Sequence, residues 1–108
     1  MNNYYQKNMG NTIKILRLFH GIKQKHLAEQ LNIKASLLSL YEQGKREPTI
    51  RFLKKFCIFN EITLSEFFKL VENQDFNDKP QVESKNNYSK QINKLMENVG
   101  KVLTPVSS

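Results

Sequence analysis

Residues 24–41 read QKHLAEQLNIKASLLSLY, and the fold turns on this stretch. Leu27, Ala28 and Leu31 fall on one face of a helix from Gln24 to Leu31. The break Asn32-Ile33-Lys34 follows, and Asn tolerates the left-handed backbone that a tight turn needs. A second helix then runs from Ala35 to Gln43, with Leu38 and Tyr41 one turn apart. Ala28 matters most. Two helices crossing at a short turn approach closely, and a large side chain there would push them apart.

Working outward, Ile13, Leu16 and Arg17 begin a preceding helix that ends near His20, with Gly21 as its stop. Downstream, Gly44 ends the helix over 35–43, and Thr49 caps a helix from Ile50 to about Phe59. Thr63-Leu-Ser-Glu66 has the spacing of a capping box and opens a fifth helix to about Val71, burying Leu64, Phe67 and Phe68. No stretch alternates with period two for long enough to form a strand. The expected fold class is all-α.

Four segments are expected: a flexible N-terminal arm over 1–10, a helical domain over 11–71, a linker over 72–87 interrupted by Pro80, and an amphipathic helix over 88–104. In the last, Tyr88, Ile92, Leu95, Met96, Val99 and Leu103 recur at helical spacing. An isolated helix of roughly 16 residues is marginal in water, so this stripe must pack on its own domain, a second copy or another protein.

The chain has 108 residues and a formal net charge of +7. Residues 1–71 hold 12 Lys and Arg against 5 Asp and Glu, whereas residues 72–108 hold 5 of each. The excess charge therefore lies on the helical domain, where it attracts polyanions. No apolar run approaches the roughly 18 residues needed to cross a bilayer. The first eleven residues have no apolar stretch of the kind a secretory signal carries. The single cysteine, Cys57, suits a core thiol in a reducing cytoplasm. His20 and His26 lack the partners of a zinc site, and the four glycines are too scattered for a phosphate loop. No metal, cofactor or catalytic group is expected, and an enzyme reading has no support.

Two short helices joined by a tight break within a basic all-α domain suggest a helix-turn-helix. The residues ILRLFHGIKQKHLAEQL, NIKASLLSLYEQGKREPT and ITLSEFF resemble the Xre/Cro-like helix-turn-helix domains of phage repressors and bacterial regulators. YEQGKREPT is the most specific part. The resemblance implies a five-helix, lambda-repressor-like bundle and a buried ion pair between Arg17 and Glu42. It also implies that Gln24 binds a DNA phosphate. The helix over 35–43 would enter the major groove of double-stranded DNA, with Lys34, Ala35, Ser36, Ser39, Leu40 and Gln43 as contacts. Lys45 and Arg46 would grip the backbone, with Lys23, Lys25 and Arg51 adding to the field.

Two features depart from the family pattern. Groove-facing positions usually carry Gln, Arg or Asn, yet here Leu37 and Leu40 stand among small residues. Thymine-methyl readout, a protein partner, or a rotation that puts one Leu in the core each explain them. Lys34 also replaces a capping Ser or Thr. In the fourth helix Leu53, Phe56 and Cys57 fill the core stripe, and Phe52, Ile58 and Phe59 cannot all join it. Ile58 and Phe59 suit a dimer or partner contact, as do Ile92, Leu95, Met96 and Val99. The expectation is a sequence-specific transcriptional regulator, a repressor binding a palindromic operator as a homodimer. The alternative is a protein-interaction module or antitoxin that uses this scaffold and the C-terminal helix to bind a partner.

Overall fold

The computed structural model describes residues 4–73 together with 92–94, 96, 97 and 100. Among the described residues five complete helices are formed, α1 (Tyr4–Phe19), α2 (Gln24–Gln30), α3 (Ala35–Glu42), α4 (Ile50–Asn60) and α5 (Leu64–Glu72), and residues 92–94, 96 and 97 are helical as well. No strand occurs among the described residues. Helix α1 packs on α3 and α5, α2 on α3, and α4 on α5.

The chain turns between helices by one repeated device. Gly21, Asn32, Gly44 and Glu61 have left-handed backbones, with φ of 67°, 57°, 72° and 56°. Each donates its N–H to a carbonyl three residues back, and the following N–H reaches a carbonyl five residues back. These paired bonds form a Schellman motif and satisfy carbonyls that a helix end leaves open. Helix starts are less uniform. Thr49 Oγ1 accepts from Phe52 N at 3.1 Å, and Thr63 and Glu66 form a reciprocal capping box. Lys23 and Lys34 precede α2 and α3 without a side-chain cap.

The N-terminus corrects the sequence reading. Residues 1–10 are not a loose arm throughout, because α1 is already helical at Tyr4. Tertiary contacts hold these turns, and no periodic stripe announces them. Gln6 Nε2 donates to the Gly44 carbonyl at 2.9 Å, and Asn8 Nδ2 to the Val71 carbonyl at 3.1 Å. Met9 is buried, and Gly10 lets α1 lie directly against the end of α3.

Ile13, Leu16, Leu27, Ala28, Leu31, Leu38, Tyr41, Leu53, Phe56, Cys57 and Phe67 lie in one buried core. Leu64 and Phe68 pack at its edge. Phe52 also enters it, with its ring centroid 4.8 Å from Tyr41 and 5.7 Å from Phe56. Ile92 and Met96 are 1% and 0% exposed and belong to the same core. Of the three surfaces that the spacing left open to this stripe, the chain's own domain is the one their burial favours. The two residues share the buried cluster with side chains of α1 to α5. Leu95 and Val99 are outside the residues whose side chains are described, as is the linker from residue 74 to 87.

Candidate nucleic-acid interface

A buried ion pair ties α1 to α3. Arg17 Nε donates to Glu42 Oε2 at 2.7 Å and Nη2 to Oε1 at 3.0 Å, so the guanidinium forks onto the carboxylate. The two side chains are only 10% and 3% exposed. Arg17 Nη1 also donates to the Ile22 carbonyl at 2.8 Å, within the turn after α1. Gln24 Nε2 donates to Glu42 Oε1 at 2.9 Å. One carboxylate at the end of α3 thus holds the last turn of α1 and the start of α2. The Gln24 amide is fixed inward by one N–H, and its second N–H is not used by that bond.

Helix α3 has two unlike faces. Leu38, Tyr41 and Glu42 are buried. Ser36 and Gln43 are exposed, with half-buried Ser39 and Leu40 between them along the same side. Spacings of three and four residues align these four side chains on one helical face. Gln43 Nε2 donates to Ser39 Oγ at 2.8 Å, which aligns the amide along the helix. Ala35 is half-buried at the first turn, and Lys34 before it is exposed. Leu37 packs against the core's edge, so helix rotation accounts for one of the two unexpected leucines. Leu40 stays half-exposed on the outer face.

Exposed cations stand on the segments that flank α3 in sequence. Lys23, Lys25, Lys45, Arg46 and Arg51 are exposed. Lys55 is drawn inward instead, donating Nζ to the Leu31 carbonyl at 3.2 Å and steadying the turn between α2 and α3. Nothing in the spacing of Lys55 announces that contact, since the partner is a backbone atom 24 residues away. The same holds for Gln6 and its bond to Gly44.

The remaining candidates fall elsewhere. His20 Nε2 is 2.7 Å from Asn60 Oδ1, between the rings of Phe19 and Phe59. Burial pushes its pKa below the ordinary value, and the Asn60 bond and Glu61 charge oppose that only partly. Burial, helped by the charge of Glu66, pushes the Cys57 thiol up to about 11, so it is inert at neutral pH. Phe59 is half-buried beside His20, whereas Ile58 is 76% exposed.

Comparison with known proteins fits this geometry. The sequence profile of the helix-turn-helix family matches residues 13–67, just over half of the chain. The chain belongs to the Xre/Cro-like helix-turn-helix family. The matched range runs from within α1 into α5 and contains the whole α2–α3 pair. An uncharacterized helix-turn-helix-type transcriptional regulator from Archaeoglobus fulgidus is 40% identical over 57 residues, covering 52% of this chain. This chain spans 25% of that relative's length.

Proposed function

We propose that this protein is a sequence-specific DNA-binding transcriptional regulator of the cytoplasm, acting as a repressor. The observation that carries the reading is the outer face of α3, where Ser36, Ser39, Leu40 and Gln43 align between exposed Lys34 at one end and Lys45 and Arg46 at the other. Helix α3 enters the major groove. Gln43 offers its amide to a base edge, the serines donate or accept, and Ala35 and Leu40 meet thymine methyls. Lys45 and Arg46 neutralise phosphates, and Gln24 adds a neutral phosphate bond through its second N–H.

Two copies bind a palindromic operator with half-sites about one helical turn apart. Exposed Ile58, with Phe59 beside it, forms the contact between copies. The rival reading, an antitoxin or interaction module acting through its C-terminal helix, needs the apolar tail stripe free. The burial of Ile92 and Met96 weighs against it.

An electrophoretic shift against the DNA upstream of the protein's own coding region tests the proposal. The expected result is a discrete complex whose affinity falls steeply as salt rises, because phosphate neutralisation releases counterions. Failure to shift any such duplex at low salt would overturn it.

A further inference from the structure

Helix α1 carries a cation to the end of the recognition helix. A Cβ built on Gly44 would lie 3.0 Å from Lys7 Cα and 3.1 Å from Lys7 Cγ, so the Lys7 stem runs across this glycine. Gln6, next to it, donates to the Gly44 carbonyl at 2.9 Å and fixes the approach. Lys7 is exposed, and the residues after Gly44 are the exposed Lys45 and Arg46. Three cations from two separate parts of the chain therefore meet at one corner. Glu47 is the carboxylate that follows them in sequence. Lys7 lies outside residues 13–67, so the family match does not include it.

We infer that Lys7 is a further phosphate-binding residue, extending the grip of Lys45 and Arg46 along the DNA backbone. The inference rests on the proposed DNA-binding function. Its ligand is a backbone phosphate, since a lysine ammonium is a compact point charge with no base-edge geometry of its own. Gly44 is what makes the arrangement possible. Any side chain there would displace the Lys7 stem, and φ of 72° already disfavours one.

The test is a salt titration of DNA affinity for the full chain, comparing wild type, Lys7→Gln and Lys7→Arg. The charge-matched control is Lys69→Gln on the exposed side of α5. One lost phosphate contact lowers the slope of log affinity against log salt by about 0.9. Lys7→Gln should show that decrease and weaken operator and unrelated duplex by the same factor, whereas Lys7→Arg and Lys69→Gln should keep the wild-type slope. If wild type binds and Lys7→Gln keeps its slope, the inference is overturned and the function stands. If wild type binds no duplex, both fall.

Discussion

Gly10 sits in the middle of α1 because Glu42 sits at the end of α3. A Cβ on Gly10 would lie 2.9 Å from the Glu42 carbonyl oxygen and nearer still to that of Tyr41. Glycine in a helix interior costs about 1 kcal/mol relative to alanine. Here the close approach of the two helices outweighs that cost, and it fixes where the recognition helix ends.

Gly10→Ala should therefore destabilise the protein, against its helix propensity. The neighbouring atoms are backbone, so the helices must separate, and overpacking of this kind costs about 1–3 kcal/mol. Urea denaturation would measure it. A more stable variant would mean that α1 and α3 do not approach this closely.

Glu42→Ala removes the acceptor for two Arg17 bonds and for the Gln24 amide. Stranding a buried guanidinium should cost about 3–5 kcal/mol. A clear fall in thermal midpoint is expected, and an unchanged melt would remove the pair from the account.

Glu61 closes α4 with φ of 56°, where glycine or asparagine is usual. Glu61→Gly should relieve that backbone and raise stability by about 1 kcal/mol. Chemical denaturation checks the sign; a loss would show that the contacts of the Glu61 side chain matter more than its backbone.

His20 gives the fold a pH dependence. Its folded pKa is lowered, so the unfolded chain takes up a proton first as pH falls. The stability contributed by neutral His20 is complete above the unfolded pKa of about 6.5 and is lost as pH drops below it. Thermal midpoints between pH 7.5 and pH 5 should fall more for wild type than for His20→Gln. Parallel curves would contradict the burial of this imidazole beside Asn60 and Phe59.

The legible parts of the fold were those written in local chemistry. Gly21, Asn32 and Gly44 mark three turns, and Thr49, Thr63 and Glu66 mark two helix starts, because each acts within a few residues of itself. The first turns of α1 were hidden because Gln6 and Asn8 bond to carbonyls 38 and 63 residues away, and Gly10 reads locally as a breaker. Glu61 carries no signature of a left-handed turn. At the interface, the outward face of α3 follows from helical spacing. The inward bond of Gln24 and the seat of Leu37 depend on how α1, α2 and α3 converge, which no local pattern encodes. The spacing of Ile92 and Met96 signalled an apolar stripe but not which surface would receive it.

The most direct test of the central claim is the ratio of affinities for operator and scrambled duplex, measured by fluorescence anisotropy at fixed salt. If the outer face of α3 reads bases, a Ser36→Ala, Gln43→Ala variant should lose much of that ratio while keeping its affinity for scrambled DNA. A Lys45→Glu, Arg46→Glu variant should weaken both duplexes alike. A Ser36→Ala, Gln43→Ala variant with the wild-type ratio would contradict the claim that this helix carries the specificity.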